Sequence, residues 1–167
     1  AKEISTLSKK EACYIPITYK KLELKEQTNP TVNLVHLGSM GTTANRIGLE
    51  RFLDVCWEDI KKQIPQIQLK IIGNINQAQQ SLKDKLQNDP QINVLGFVKE
   101  LSDGLLPYDI HIIPWEYNTG TRTRVPLILN FKQTLVATKA SVACFPEITA
   151  NNAVLADNLQ EMTKQII

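Results

Sequence analysis

The sequence of 167 residues has little cysteine and no long apolar run. Its three cysteines, Cys13, Cys56 and Cys144, lie far apart and form no C-x-x-C pair, which argues against a disulfide framework and against a zinc site. This cysteine usage fits a reducing, cytoplasmic setting. No run approaches the roughly 20 apolar residues that cross a bilayer, and the first residues have no signal-peptide character. We therefore expect a cytoplasmic protein without a transmembrane segment, and a peripheral membrane association of the full-length protein stays open.

Two common nucleotide-binding motifs are also absent. A dinucleotide fold places G-x-G-x-x-G after its first strand, whereas this chain has Gly38-Ser39-Met40-Gly41, so a redox cofactor is not expected. No glycine is followed by lysine, which excludes a P-loop of the G-K-[ST] type. The net charge of +2 is spread along the chain without a long basic run, so nucleic acid is not an expected partner.

What the sequence does contain is a regular alternation of short β-type runs with amphipathic stretches. With 43% hydrophobic residues, the chain has enough apolar side chains for one good core. The alternation predicts an α/β fold, a Rossmann-like doubly wound parallel sheet with helices on both faces. The predicted strands cover 32–37, 67–72, 92–95, 108–113, 134–138 and 153–156, and the predicted helices cover 45–64, 77–86, 100–106, 122–131 and the end of the chain from Asn158.

The first thirty residues have a different character. Residues 20–30 are charged and rich in helix and strand breakers, as is typical of a linker. Residues 12–17 look like one isolated strand. We therefore expect residues 1–30 to be a linker and the remnant of a preceding N-terminal domain, and residues 31–167 to be the folded domain, so that the chain is the second half of a longer protein.

Ligands of open α/β sheets bind at the carboxyl ends of the strands, where four loops of this chain would meet. These loops cover 38–45, 73–76, 96–99 and 114–120. The first is rich in small and hydroxyl residues, which let a backbone approach a ligand closely. An equally supported alternative is a plain turn in which Thr43 or Asn45 caps the following helix.

The fourth loop predicts a phosphate site. The strand ends at Pro114, and Gly120 favours a turn after it. Arg122 and Arg124 lie at the expected start of a helix. Backbone N–H groups at a helix start and two guanidinium groups would hold a diphosphate. The alternative is a solvated basic helix end.

Three further side chains have two interpretations each. His36 and His111 fall inside predicted strands, which favours packed sheet residues over catalytic bases. Trp115 follows the fourth strand, where it lines a sugar or base pocket or packs under the loop.

Taken in order, these segments resemble the C-terminal, donor-binding domain of GT-B glycosyltransferases, in particular the retaining, family 4-like members of group 1 that are typified by bacterial polysaccharide and lipopolysaccharide transferases. The resemblance begins at Val35-His36-Leu37-Gly38-Ser39-Met40 and continues through residues 69–73, 96–98 and 108–114. Its most specific piece is Thr119-Gly120-Thr121-Arg122-Thr123-Arg124-Val125, which is similar to the family's glycine-threonine-arginine-x-lysine segment.

The resemblance implies one half of a GT-B fold that binds a UDP-sugar or GDP-sugar, with no metal and no other cofactor. Arg122 and Arg124 would act as catalytic groups that neutralise the leaving diphosphate, and Glu116 would lie near the donor sugar. The backbone near residues 97–98 would contact the base. The acceptor, a glycan or a lipid, would be held by the missing N-terminal domain, so this half would bind its donor without turnover. The donor-binding residues implied in this way are Gly38, Ser39, Met40, Gly73, Phe97, Val98, Thr119, Gly120 and Thr121.

The chain also departs from the family pattern. Leu127 stands where relatives carry a ribose-binding glutamate, and Lys132 and Thr134 stand where they carry glycine and proline. Pro126 is compatible with the helix only in its first turn. These departures keep two alternatives open, a non-catalytic nucleotide or nucleotide-sugar binding module and an interaction domain on a Rossmann-like scaffold.

Overall fold

The computed structural model describes residues 2–11, 24, 31–118 and 123–167, and a parallel six-stranded sheet forms its centre. The strands are β1 Asn33–Leu37, β2 Gln68–Ile72, β3 Ile92–Gly96, β4 Ile110–Ile113, β5 Thr134–Thr138 and β6 Val154–Ala156. Their order in the sheet is β3-β2-β1-β4-β5-β6, so the chain winds outwards in both directions from the central pair β1 and β4.

The helices follow the strands as predicted, with differences in length and number. The predicted helix 45–64 is a continuous helical stretch with a π-helical turn at its centre, and the predicted helix 100–106 is only a 3₁₀ turn. Two short helices, Lys2–Ser8 and Lys139–Val142, were not predicted because neither carries a full apolar period. The helical elements are α1 Lys2–Ser8, α2 Thr43–Phe52, the π turn Leu53–Trp57, α3 Glu58–Gln63, α4 Gln80–Asn88, the 3₁₀ turn Leu101–Asp103, α5 Arg124–Asn130, α6 Lys139–Val142 and α7 Leu159–Ile166.

Apolar packing covers both faces of the sheet. Leu34 of β1 belongs to a buried cluster with Phe52 of α2 and Met162 of α7. Its neighbour Val35 belongs to a different cluster, with Phe131 just after α5. Because successive residues of a strand point to opposite faces, this division places helices on both sides of the sheet and confirms the doubly wound fold.

A buried ion pair joins the central strands. The Asp109 carboxylate, just before β4, accepts hydrogen bonds from Lys70 Nζ of β2 at 2.9 and 3.1 Å and from Asn33 Nδ2 of β1 at 2.8 Å. It also accepts from the backbone N–H of Leu106 at 2.8 Å. Both ionic side chains are buried, so the hydrogen bonds from Asn33 and Leu106 offset part of the cost of removing the charges from water.

Both histidines are packed inside the sheet. The Nε2–H of His111 donates to Gln133 Oε1 at 2.6 Å, an assignment that follows because the Gln133 amide nitrogen donates to the Leu106 carbonyl at 2.6 Å. Both ring nitrogens of His36 are buried without a hydrogen-bond partner among the described residues. Burial lowers the pKa of His111 to about 4. Burial and, next, the positive charge of Arg124 hold the pKa of His36 well below its usual value.

We expect the free energy of unfolding to fall as the pH falls below about 6.5, the usual histidine pKa. Above that pH both histidines are neutral in the folded and in the unfolded chain. Below it the histidines of the unfolded chain bind protons, whereas buried His36 and His111 of the folded chain do not. Between pH 7 and pH 5 each histidine should cost about 2 kcal/mol. Urea denaturation across this range measures the slope, and His36→Phe should remove about half of it. Identical slopes for the two proteins would contradict this origin.

Candidate functional site

The carboxyl ends of β1, β2 and β3 are tied to one another at one edge of the sheet. The Gly38 N–H donates to the Ile72 carbonyl at 2.8 Å, and the Gly73 N–H donates to the Gly96 carbonyl at 2.7 Å. The loop after β4 leaves the same edge, since β4 is parallel to β1 and adjacent to it. We call this edge, with residues 38–42, 73–79, 97–100 and 114–118, the rim. It lies at the point where the strand order reverses, which is where open α/β sheets bind ligands.

Two glycines allow the first two loops of the rim to touch. Gly73 has φ +138°, and a Cβ added there would lie 2.4 Å from the Gly38 carbonyl oxygen. Any side chain at this position would therefore push the two loops apart. The contact leaves a bare stretch of backbone at the rim, which a ligand can approach closely.

We expect Gly73→Ala to destabilise the domain by about 3 kcal/mol, because the alanine combines an unfavourable φ with a backbone clash. Gly96→Ala is the matched control, because Gly96 also has a positive φ, +67°, but a Cβ there meets nothing within 4 Å. The control should cost only the conformational part, about 1–2 kcal/mol. Urea denaturation of both variants tests the difference, and equal losses would show that the contact between the two loops has no energetic weight.

The loop after β1 is held by its own polar groups. Asn45 Nδ2 donates to the Ser39 carbonyl at 3.0 Å, and the Ser39 hydroxyl accepts from the Gly41 N–H at 3.2 Å. The N-cap of α2 is Thr42, which makes no side-chain capping bond. The alternative prediction that Thr43 or Asn45 caps this helix is therefore wrong, because Asn45 fixes the loop instead.

Met40 anchors the loop after β1. Its side chain is fully buried among the core residues of β1 and α2, and its N–H donates to the Asn74 carbonyl at 2.9 Å. Both groups are therefore engaged within the protein. The predicted contact of Met40 with the donor stays a prediction.

Arg124 lies directly beneath the loop after β1. It is the first residue of α5, only 9% of its surface is exposed, and its Nη1 donates to the Leu37 carbonyl. A Cβ added to Gly38 would lie 3.0 Å from the same Nη1. The structure therefore brings this positive charge to the rim at the end of β1.

The other predicted members of this segment lie outside the described residues, and their roles stay predictions. They are Thr119, Gly120, Thr121 and Arg122.

Glu116 is bound by protein partners on both carboxylate oxygens. Oε2 accepts from Arg51 Nε at 2.8 Å and lies 2.5 Å from Arg51 Nη2, and Oε1 accepts from the Leu159 N–H at 3.4 Å. The side chain thus joins the loop after β4 to α2 and α7. This arrangement gives Glu116 a structural role, and its predicted position near a donor sugar stays a prediction. Arg51 could not be predicted as a partner of Glu116, because no sequence pattern links two residues this far apart.

The loop after β3 exposes one aromatic side chain. Phe97 is 81% exposed, whereas Val98 packs against the core cluster of Val35 and Leu105. Phe97 and Val98 lie at the predicted base-binding end of the rim, and the contact itself stays a prediction.

Trp115 packs under the loop after β4, one of its two predicted alternatives. It is 9% exposed, its carbonyl accepts a hydrogen bond from the Thr138 hydroxyl, and its ring lies 5.0 Å from that of Tyr117 at an angle of 56°. The result is an aromatic pair whose outer member, Tyr117, faces solvent.

A groove of about 630 Å³ lies away from the rim, between the π turn and the end of α4. Its charged side chains are paired with one another, Lys61 with Asp89 and Lys85 with Asp54. The Trp57 indole N–H also donates to Asp89 at 2.8 Å. These four charged side chains of the groove are therefore engaged in ion pairs within the protein.

The described residues contain neither a metal-binding cluster nor a membrane-spanning helix. They contain no group of three or more histidine, cysteine, aspartate or glutamate side chains arranged to hold a metal ion. No helix in the described ranges has both the length and the apolar character needed to cross a membrane.

Comparisons with solved structures support the fold. The crystal structure of TarM matches with a TM-score of 0.67 and 14% identity, over 89% of this chain and 30% of that one. Anabaena Alr3699/HepE in complex with UDP matches with a TM-score of 0.57 and 16% identity, over 80% of this chain and 37% of that one. HepE in complex with UDP and glucose matches with a TM-score of 0.52 and 18% identity, over the same shares of the two chains. The chain therefore spans about a third of the length of these proteins.

Sequence comparison identifies the family. No curated protein sequence matches the chain. The family described as "Glycosyl transferases group 1" matches residues 31–167, the whole range predicted to form the folded domain. The resemblance inferred from the motifs is thereby confirmed, and the chain belongs to the group 1 glycosyltransferases.

Proposed function

We propose that the rim binds the diphosphate of a nucleotide-sugar and that the domain is the donor-binding half of a glycosyltransferase. The observation that carries this proposal is the position of Arg124, a buried guanidinium beneath Gly38 at the switch point of the sheet. A fixed positive charge beside close-packed loop backbone suits a diphosphate. The sugar would pass to an acceptor glycan or lipid held by a further domain of a longer protein.

The structural neighbours support the choice of ligand. HepE has been crystallised with UDP, with UDP-glucose, and with UDP and glucose. The identity is 14–18%, and this chain covers about a third of each neighbour. The structural similarity therefore supports the fold alone, and the ligand is our proposal for this chain.

The proposed chemistry needs no metal. Negative charge grows on the diphosphate as the sugar–phosphate bond breaks, and Arg122 and Arg124 would stabilise it where it develops. The backbone of Gly38, Ser39 and Gly73 would lie against the phosphates. The base would lie towards β3, where the backbone near residues 97–98 contacts its edge.

One observation favours the alternative of a non-catalytic nucleotide-binding module. Leu127, at the position where relatives bind ribose through a glutamate, packs against the core cluster of Val35 and Phe131. An apolar side chain in this place makes no hydrogen bond to a ribose hydroxyl. Such a module would bind the diphosphate but transfer no sugar. Release of UDP from UDP-glucose by the longer protein would therefore indicate a glycosyltransferase, and binding without release would indicate the module.

Calorimetric titration with UDP and with GDP tests donor binding. We expect saturable binding of one of the two, which would also identify the base. Absence of binding by the well-folded chain, at concentrations up to the millimolar range, would contradict the proposal.

A further inference from the structure

Helix α2 contacts both the loop after β1 and the loop after β4. In its first turn, Asn45 Nδ2 donates to the Ser39 carbonyl of the loop after β1 at 3.0 Å. Three residues later, the helix lies against the backbone of the loop after β4, because a Cβ added to Gly48 would lie 3.5 Å from the Pro114 carbonyl oxygen. The same helix therefore packs on two loops that belong to different crossovers of the sheet.

Arg51 extends this row of contacts by three more residues. Its Nε donates to Glu116 Oε2 at 2.8 Å, and its Nη2 lies 2.5 Å from the same oxygen. We call this ion pair of Arg51 and Glu116 the clamp. Positions three apart on a helix are neighbours on its surface, so residues 45, 48 and 51 form one continuous row. Through this row, α2 sets the distance between the two loops.

The geometry of the clamp restrains the loop after β4. Two nitrogens of one guanidinium group reach the same carboxylate, which fixes the orientation of both side chains as well as their distance. The Glu116 side chain is partly buried, so its charge is screened less than that of an exposed carboxylate. The chain runs from Glu116 directly into the segment that carries Arg122 and Arg124. The position of Glu116 therefore determines where that segment begins.

We propose that Arg51 and Glu116 are positioning residues for binding of the diphosphate, because the clamp fixes the loop after β4 relative to the loop after β1. The inference rests on the proposed function, which supplies the ligand. Arg51 and Glu116 act through the backbone of the loop, and a loop that is already held in place loses less conformational entropy when the ligand binds. Breaking the clamp should therefore weaken binding of the diphosphate.

The effect of removing Glu116 distinguishes positioning from simple electrostatics. A diphosphate is an anion, so by charge alone the loss of the Arg51 guanidinium would weaken binding and the loss of the Glu116 carboxylate would strengthen it. If the clamp positions the loop, both losses weaken binding, because each of them breaks the same ion pair. Binding of the free diphosphate also leaves the predicted position of Glu116 near a donor sugar out of the comparison.

The test is calorimetric titration with UDP and with GDP, at a temperature at which thermal unfolding shows every variant to be folded. We expect Arg51→Ala and Glu116→Ala each to weaken binding about fivefold, and the double variant to bind about as weakly as either single variant. Arg51→Lys keeps the charge but not the two-nitrogen contact, so its affinity should lie between those of Arg51→Ala and the unsubstituted chain. If Glu116→Ala does not fold, Glu116→Gln keeps an acceptor for the Leu159 N–H and should also weaken binding.

The matched controls are Lys139→Ala and Asp157→Ala. They break an exposed ion pair of 2.6 Å that joins the ends of β5 and β6, at the same edge of the sheet as the rim. Each control removes the same charge as one of the test variants. Both should bind the diphosphate within about twofold of the unsubstituted chain.

Three outcomes overturn the inference. Weaker binding by Arg51→Ala with equal or tighter binding by Glu116→Ala would reduce the effect to charge alone. Unchanged binding by both variants would show that the clamp does not influence the site, and fully additive losses in the double variant would show that the two side chains act separately. Failure of the unsubstituted, folded chain to bind either diphosphate is a different result, which overturns the proposed function itself and this inference with it.

Discussion

Replacing Arg122 and Arg124 together by alanine is expected to weaken binding of the nucleoside diphosphate at least a hundredfold. Each charge-assisted hydrogen bond contributes about 1.5–3 kcal/mol, so the loss of both amounts to about 3–6 kcal/mol. Since about 1.4 kcal/mol corresponds to a tenfold change in affinity, the expected range is about a hundredfold to ten-thousandfold. Calorimetric titration with the diphosphate that the unsubstituted chain binds measures this loss.

A control must separate specific contacts from the general loss of two positive charges. Lys62→Ala with Lys164→Ala removes the same net charge from exposed positions near the ends of α3 and α7, at the edge opposite the rim. Exposed charges this far away are largely screened at physiological salt, so the control should bind almost normally. Unchanged binding by the arginine variant would contradict the phosphate site. An equal loss of affinity in the arginine and lysine variants would show that only the net charge of the protein matters.

The two arginines are expected to differ in their effect on stability. Arg124 is buried and donates to the Leu37 carbonyl, so its removal also withdraws support from the end of β1. Thermal unfolding of each single variant therefore accompanies the titration. Arg122→Ala provides the binding result that is independent of the Leu37 contact, and Arg124→Lys tests whether positive charge alone is sufficient at this position.

The strands could be predicted from the sequence because a parallel sheet covered on both faces needs continuous apolar runs. Residues 134–138 show this pattern, and residues 67–72 show it except at Gln68 and Lys70; the structure has strands at 68–72 and 134–138. The helices were harder to predict in detail. The apolar residues of 45–64 indicate a helix, but they do not indicate the π turn at 53–57, which local sequence preferences do not specify.

The candidate site could be predicted only where its residues are close in the sequence. The glycines that end β1 and β2 identified the rim, because glycine directly after a strand is a local signal. The clamp between Glu116 and Arg51 depends on how α2 packs over the sheet, and no local pattern reports that packing. Burial of Met40 was missed for the same reason, since an apolar residue in a loop is found both in cores and at ligand sites.

One missed feature did have a signal in the sequence. Lys70 interrupts the apolar strand Gln68–Ile72, and lysine is almost never buried unless it is paired. A lysine in such a strand therefore predicts a buried carboxylate nearby. Its partner, Asp109, lies just before β4, which is separated from β2 by β1 in the sheet. Only this strand order distinguishes Asp109 from the other acidic residues.

Asp109→Ala is expected to reduce the free energy of unfolding by about 3–5 kcal/mol, because it leaves the ammonium group of Lys70 buried without a counter-charge. The side-chain amide of Asn33 and the N–H of Leu106 lose their acceptor at the same time. Urea denaturation at pH 7 measures the loss. The matched control is Asp54→Ala, which breaks the ion pair with Lys85 on an exposed surface and should cost less than about 1 kcal/mol.

Asp109→Asn provides a milder test if the alanine variant does not fold. Its amide oxygen can still accept from the Leu106 N–H, but its NH₂ group brings two donors towards groups that also donate, Lys70 and Asn33. We therefore expect a loss between those of Asp54→Ala and Asp109→Ala. If Asp109→Asn were as stable as the unsubstituted chain, the negative charge would have no role, and hydrogen-bond acceptance alone would hold the three central strands together at this point.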